Sequence, residues 1–246
     1  FHASHPRNPF ASAARREIAQ SRDDLIRLLA PTLRGLLGQG PKLPLVCFDD
    51  SPVARDFVAT AEGARCTRGG PMIPDQICYC KPQALWVACR EGEAPERVAA
   101  RMAQSVAKYR AQWKYDPRVV AVQGLGFFYA ACDLKSMRTV RDIHLDALKT
   151  MKGAYAAGGP KPLSPAMCRF IDQWEVETYR RQVALAAGRP GGRVAQKVAL
   201  VTGAAQGFGR GIAENLARQG ACVVLADINT EGIQELAQEL CARHGA

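Results

Sequence analysis

Residues 197–227 decide the fold of the C-terminal part of this chain, and they read KVALVTGAAQGFGRGIAENLARQGACVVLAD. The stretch opens with a short, valine-rich apolar run typical of a buried strand, and a loop with three glycines follows it. A helical pattern comes next, and a second apolar run, Cys222–Ala226, ends at Asp227. The order of strand, glycine loop, helix, strand and acid predicts a parallel β-α-β unit.

This order of elements is suited to binding a dinucleotide. Glycines let the backbone approach a pyrophosphate closely, and the helix that follows directs free N–H groups and a positive dipole end at the anion. Asp227 lies 18 residues beyond Gly209, where a carboxylate can accept hydrogen bonds from the adenosine ribose. A glycine turn that only packs helix against strand is the alternative. The predicted cofactor-binding residues are Gly203, Gln206, Gly207, Phe208, Gly209, Asp227 and Ile228.

The pattern Thr-Gly-x-x-x-Gly-x-Gly at residues 202–209, together with the strand before it, resembles the start of the short-chain dehydrogenase/reductase family. The resemblance implies a Rossmann fold and an NAD(P)-linked oxidoreductase whose catalytic Ser and Tyr-x-x-x-Lys lie far downstream of the glycines. Only 37 residues follow Gly209, and none of the six tyrosines has a lysine four positions later. We therefore assign no catalytic residue and expect the chain by itself to be inactive as a dehydrogenase. NAD is the expected cofactor, and NADP is less favoured because Asp227 would repel its 2′-phosphate.

The upstream residues alternate between strand and helix patterns, which indicates an α/β layer domain. Pro31 is expected to break or restart the first helix because it lacks an N–H group. The predicted helices span 12–37, 53–60, 94–109, 134–151 and 167–185, and the predicted strands span 43–48, 77–79, 84–89 and 118–122.

The fold class expected for the chain is therefore α/β, with a middle α/β domain followed by a partial Rossmann β-α-β-α unit of the short-chain dehydrogenase type. Loops rich in glycine and proline separate these parts. The predicted domains are an N-terminal tail and helix (1–42), the middle domain (43–158), a linker with a short helix (159–192) and the partial Rossmann unit (193–246).

The upstream part also resembles a known protein family. The motifs that carry this resemblance are, in order, Cys47–Pro52, Pro71–Gln76, Asp116–Val120, Gln123–Gly126 and Ile171–Glu175. Their order, ahead of a dehydrogenase-like start, resembles the bifunctional fusions of a class II aldolase, similar to rhamnulose-1-phosphate aldolase, with a lactaldehyde-oxidising short-chain dehydrogenase. The resemblance implies that this chain is the middle region of such a fusion plus the start of its dehydrogenase domain. A hydroxy-aldehyde or a sugar phosphate is then the expected substrate.

The same resemblance places zinc in an aldolase domain that precedes this chain. The chain contains only four histidines, His2, His5, His144 and His244, and His2-x-x-His5 is a poor zinc pair without a third ligand. We therefore assign no metal ligand to this sequence.

The net charge of +10 lies entirely in the first 190 residues, which hold 28 Lys and Arg against 18 Asp and Glu. A solvated surface is favoured over a nucleic-acid site because no five basic residues are consecutive and no RNA-binding aromatic signature is present. No apolar run approaches the ~18 residues of a membrane helix. Nine cysteines in 246 residues favour reduced thiols over a disulfide framework. We expect a cytoplasmic homo-oligomer that binds a small molecule and has neither a nucleic-acid nor a membrane partner.

Three upstream features have a functional interpretation beside a structural one. Asp49 and Asp50 could form an acid/base pair, although capping of the next helix by Asp50 or Ser51 is favoured. Gly124-Leu125-Gly126 could hold a second phosphate, although a plain turn is favoured because no acid marks a following strand. His144 lies in the apolar stripe of a predicted helix and is expected to be a core residue. For the whole upstream part, a non-catalytic module that docks two enzyme domains together is the alternative function.

Overall fold

The computed structural model describes residues 9–10, 18, 22–38, 43–175, 192–195 and 197–244. An upstream unit ends at residue 175, and a downstream unit begins at residue 192. The upstream helices are α1 (Arg22–Leu36), α2 (Pro52–Ala59), α3 (Ala61–Gly69), α4 (Pro74–Cys80), α5 (Pro95–Trp113), α6 (Leu134–Ala154) and α7 (Pro165–Gln173), with a 3₁₀ turn at Tyr155–Ala157. The upstream strands are β1 (Leu45–Asp49), β2 (Leu85–Val87), β3 (Val119–Val122) and β4 (Gly126–Ala131).

The four upstream strands form one mixed sheet in the order β1-β4-β3-β2. Strand β4 is antiparallel to both of its neighbours, whereas β2 and β3 are parallel. Because parallel strands cannot be joined by a hairpin, helix α5 makes the crossover between them.

Helices cover both faces of this sheet. Successive side chains of a strand point to opposite faces, so Val120 and Phe128 face α1 and α5 while Phe127 and Tyr129 face α2 and α6. All four side chains are fully buried. Burial on both faces explains why β3 is a continuous apolar run rather than an alternating one.

Helix α1 contradicts the expected break at Pro31, which lies inside the helix. Leu25, Leu29 and Leu33 are buried before and after the proline, in one core with α5 and the sheet. Burial of this leucine stripe offsets the loss of the one backbone hydrogen bond that a proline cannot donate. The predicted start of the helix, at residue 12, lies outside the described residues, but the prediction is wrong at Ile18, which is not helical and donates its N–H to the Gly124 carbonyl.

The predicted strand at 77–79 is wrong, because these residues lie in α4. Pro74 occupies the first turn of this helix, where a missing N–H group costs nothing. Ile77 and Cys78 are buried against α7. A helix of seven residues is too short to show a helical period, so its apolar residues have the pattern of a strand.

Strand β4 and helix α3 have no counterpart among the predicted elements. Strand β4 begins at Gly126, lies between β1 and β3, and buries three aromatic side chains, Phe127, Phe128 and Tyr129. An aromatic run directly after a strand and a glycine turn is a hairpin signal, and it could have identified β4. The other upstream elements are present with ends shifted by a few residues, except that 176–185 of the last predicted helix lies outside the described residues.

The downstream unit has the predicted β-α-β-α order. It contains β5 (Val198–Thr202), α8 (Gly207–Arg218), β6 (Cys222–Ala226) and α9 (Thr230–His244), and its two strands are parallel. Both helices pack on one face of the strands, while on the other face Leu200 is 66% exposed and Val224 is 47% exposed. The predicted α/β class, with its partial Rossmann unit, is confirmed.

The predicted domain boundaries at 42, 158 and 192 stay predictions. Helix α1 lies in the same core as β2 and β3, and α7 packs against α4. Most of the loop predicted to separate the two units, at 188–192, lies outside the described residues.

The nine cysteines, all within the described residues, are free thiols. Burial raises the pKa of several of them, and the pKa of Cys80 reaches about 12. Across residues 22–38, 43–175 and 197–244, every helix is too short or too polar to cross a membrane.

Candidate dinucleotide-binding site

The loop between β5 and α8 lies at the carboxyl ends of both downstream strands. Thr202 pairs with Ala226, so the strand register brings Gly203 and Asp227 to the same edge of the sheet. In open parallel sheets, ligands bind outside this edge. The tertiary structure therefore places the glycine loop next to Asp227, as the predicted site requires.

The glycines of this loop are needed for two different reasons. Gly203 and Gly207 have φ angles of +63° and +57°, in the left-handed region that favours glycine. Gly209 is helical, but a Cβ atom there would lie 2.0 Å from the carbonyl oxygen of Gly203. The first turn of α8 thus lies directly against the backbone of the loop.

The start of α8 presents backbone donors without intrahelical acceptors. The helix begins at Gly207, and Gln206 precedes it without making a side-chain capping bond. Since first-turn amides have no acceptor within their own helix, those of Gly207, Phe208 and Gly209 can bind an anion. Phe208 is 93% exposed. A pyrophosphate is the anion that such a loop and helix start can hold.

Both oxygens of the Asp227 carboxylate accept backbone hydrogen bonds. Oδ2 accepts from the N–H of Ala205 in the glycine loop, and Oδ1 accepts from the N–H of Asn229, each at 2.9 Å. These two bonds, that of Asn229 first, lower the pKa of the Asp227 carboxyl group. The carboxylate is therefore ionised at neutral pH, and each oxygen keeps a lone pair for a ribose hydroxyl.

Arg210, the cation in the first turn of α8, is already engaged. Its Nε lies 2.9 Å from the Glu214 carboxylate and its Nη2 lies 2.6 Å from that of Glu239 on α9. These ion pairs occupy the guanidinium that could otherwise compensate a 2′-phosphate. Ile228, the residue after Asp227, is fully exposed and can contact an adenine ring.

Two contacts of this site involve residues that the sequence prediction missed. Ala205 and Asn229 hold the Asp227 carboxylate, and Asn229 also caps α9 through the Gly232 amide. An asparagine directly before a helical pattern is a capping signal and could have identified Asn229. The backbone contact of Ala205 has no signal in the sequence.

In the upstream unit, Asp49 and Asp50 are engaged in local contacts. Asp49 accepts from the N–H of Ser51 at 2.9 Å and lies 3.6 Å from Arg141, while Asp50 pairs with Arg22. Ser51 precedes α2 but makes no side-chain capping bond, so the expected cap is wrong for this residue. The contacts favour a structural role for both carboxylates.

Gly124-Leu125-Gly126 forms a tight turn between β3 and β4. Gly124 has a φ angle of +73°, and the N–H of Leu125 donates to the carbonyl of Val122. The two strands are antiparallel, so no helix N-terminus follows the glycines. The preferred interpretation of a plain turn is confirmed.

His144 is a core residue, as its position in the helical stripe predicts. It is 3% exposed, and its Nδ1 lies 2.9 Å from the hydroxyl of Tyr129. Burial lowers the pKa of His144 to about 3. The imidazole is therefore neutral in the folded chain at neutral pH.

We expect the upstream unit to lose stability as the pH falls below about 6.5. The unfolded chain binds a proton on this histidine below its ordinary pKa, whereas the folded chain does so only near pH 3, so acid favours unfolding. The free energy of unfolding should fall by up to about 1.4 kcal/mol per pH unit. The measurement is urea unfolding at pH 7, 6 and 5 for the wild type and for His144→Phe. A slope that the substitution leaves unchanged would show that another group titrates.

No group of three or more His, Cys, Asp or Glu side chains lies close enough to hold a metal ion among the residues that the structure describes.

Comparison with known proteins finds one family match in each unit. Residues 197–246 match the short chain dehydrogenase family, and residues 24–115 match the second domain of class II aldolases. The chain thus contains one segment similar to a class II aldolase second domain, followed by one similar to the start of a short chain dehydrogenase.

Two curated relatives are similar to parts of this chain. The uncharacterized oxidoreductase YuxG of Bacillus subtilis (strain 168) is 23% identical over 240 residues, which are 91% of this chain and 34% of YuxG. The oxidoreductase UcpA of Escherichia coli (strain K12) is 54% identical over 52 residues, which are 21% of this chain and 19% of UcpA. The chain therefore spans about a third of one relative and about a fifth of the other.

A solved short-chain dehydrogenase from Shigella flexneri is 36% identical over 22% of this chain and 24% of that one, with a TM-score of 0.21.

Proposed function

We propose that the downstream unit is the NAD-binding start of a short-chain oxidoreductase. The observation that carries the proposal is the Asp227 carboxylate, which two backbone amides hold beside the glycine loop. The close contact of Gly209 with Gly203 and the free amides of the first turn of α8 fit a pyrophosphate. The family match of residues 197–246 and the relatives named as oxidoreductases support the same function.

The residues of this chain bind and orient the cofactor. The glycine loop and the start of α8 would hold the pyrophosphate, Asp227 would accept hydrogen bonds from the ribose, and Ile228 would contact the adenine. NAD, when bound, supplies the hydride acceptor. Proton transfer is assigned to no residue of this chain.

We further propose that the complete polypeptide combines this dehydrogenase with a class II aldolase. The class II aldolase match of residues 24–115 supports the fusion. A hydroxy-aldehyde such as lactaldehyde is the proposed dehydrogenase substrate, and a sugar phosphate of the rhamnulose-1-phosphate type is the proposed aldolase substrate. Zinc would belong to the aldolase domain upstream of this chain. We also propose that the complete protein is a cytoplasmic homo-oligomer with neither nucleic-acid nor membrane partners.

A preference for NAD over NADP tests the proposed cofactor. In the wild-type, full-length protein we expect NAD to bind at least tenfold more tightly, and up to about a hundredfold, since a charged acceptor for the ribose hydroxyls also repels a 2′-phosphate. Asp227→Ala should weaken NAD binding and remove most of the preference. The measurement is a fluorescence or calorimetric titration of both proteins with both cofactors.

Glu91→Ala is the control, because it removes an exposed acid from the upstream unit, outside the site. It should leave both affinities near those of the wild type. Equal affinities in the wild type, or a preference that survives in Asp227→Ala, would contradict the proposal.

A further inference from the structure

Two backbone N–H groups donate to the Asp227 carboxylate, and a third contact holds the side chain of one of the two donor residues. The two carboxylate oxygens accept from the N–H groups of Ala205 and Asn229. The side-chain oxygen of Asn229 in turn accepts from the N–H of Gly232 in the first turn of α9, at 3.0 Å. The carboxylate is therefore linked to the glycine loop on one side and to the start of α9 on the other.

Gly232 is closely packed at this junction, so a side chain there would displace its neighbours. A Cβ atom there would lie 2.9 Å from Nδ2 of Asn229 and 3.1 Å from Cβ of Ala205. Ala205 is buried, with 7% of its surface exposed. Gly232 thus packs against the two residues whose amides hold Asp227.

We propose that Gly232, Asn229 and Ala205 act together as positioning residues that fix the direction of the Asp227 carboxylate toward the cofactor ribose. The inference rests on the proposed NAD-binding function and extends it to residues that do not touch the cofactor. A carboxylate held on both oxygens is preorganised, so little freedom is lost when the ribose binds.

A methyl group at Gly232 would disturb this arrangement specifically. The amide group of Asn229 is planar, so displacing Nδ2 also moves Oδ1 away from the Gly232 N–H. The same methyl group would push Ala205, whose N–H donates to Asp227. Alanine has a higher helix propensity than glycine, which offsets part of the stability that α9 loses with the Asn229 cap.

The test compares Gly232→Ala with Gly211→Ala in the full-length protein. Gly211 lies in α8, and a Cβ atom there meets nothing within 4 Å, so it controls for the glycine-to-alanine change. We expect Gly232→Ala to weaken NAD binding roughly three- to tenfold, with a smaller loss for NADP, because part of one charged hydrogen bond is lost. Gly211→Ala should match the wild type. Identical NAD and NADP affinities in the two variants would overturn the proposal.

A second pair of variants tests the Asn229 side chain as the link between α9 and the Asp227 carboxylate. Asn229→Ala should weaken NAD binding in the same direction, and Asn229→Ser, which can still cap α9, should restore most of it. If the two variants bind NAD equally, the role of the Asn229 side chain is disproved.

Amide hydrogen exchange distinguishes failure of this inference from failure of the proposed function. A wild-type protein without a preference for NAD would contradict the proposed cofactor alone. In that case, the hydrogen-exchange rates of the Ala205 and Asn229 amides decide whether the positioning role holds. Faster exchange of these amides in Gly232→Ala than in Gly211→Ala supports it, and equal exchange overturns it.

Discussion

Replacing Gly209 by alanine is expected to abolish dinucleotide binding, with a loss of at least about a hundredfold in affinity for NAD. A Cβ atom at this position would lie 2.0 Å from the carbonyl oxygen of Gly203 and 2.6 Å from its carbonyl carbon. Both atoms belong to the backbone, so no side-chain rotation can relieve the overlap. Either the glycine loop or the first turn of α8 must move, and the amides that would hold the pyrophosphate move with it.

Gly211→Ala is the control for Gly209→Ala, since the same methyl group two positions later in α8 meets open space. Titration of NAD into both full-length variants gives the comparison, and circular dichroism establishes that each is folded. NAD affinity that is equal in the two variants would show that the close contact at Gly209 does not shape the site.

The second large effect is expected in the upstream unit, where Gly63→Ala should lower the free energy of unfolding by about 3 kcal/mol or more. A Cβ atom at Gly63 would lie 2.3 Å from Cα of Phe57 and 2.4 Å from its carbonyl oxygen. Helices α2 and α3 meet at this point, where the Thr60 hydroxyl donates to the Asp56 carbonyl and accepts from the Gly63 N–H. Phe57 is fully buried, so its backbone cannot retreat without disturbing the core.

Gly153→Ala provides the matched comparison, because Gly153 lies in α6 with nothing within 4 Å of its Cβ position. This variant should be neutral or more stable by up to about 1 kcal/mol through helix propensity. All three tryptophans lie in the upstream unit, so their fluorescence during urea unfolding reports on that unit. Equal midpoints for Gly63→Ala and Gly153→Ala would contradict the predicted backbone overlap.

Much of the downstream unit could be predicted from sequence because its signals are local. Gly203 and Gly207 adopt left-handed backbone conformations, and Gly209 makes a close backbone contact. Because only glycine fits these positions well, the spacing of the three glycines predicts the shape of the loop. Asp227 follows a strand whose register with β5 is typical of parallel β-α-β units. The roles of the predicted cofactor-binding residues in NAD binding stay predictions, for which the titrations described above are the test.

The upstream unit was harder to predict because packing there overrides local preference. Pro31 lies inside α1 since a buried leucine stripe on both sides outweighs one missing hydrogen bond. The residues at 77–79 are helical because α7 covers them, although their apolar pattern is equally compatible with a strand.

The sequence by itself determined where the glycine loop lies, which acid follows it and how strands and helices alternate, because each depends on residues close together in the chain. Only the tertiary structure decided which partners each charged group has. Asp50 pairs with Arg22, and Arg210 pairs with Glu239, across distances along the chain that no local pattern encodes. The same holds for the Ala205 N–H that donates to Asp227. Every residue except proline has a backbone N–H, so only the fold shows which acceptor lies beside a given one.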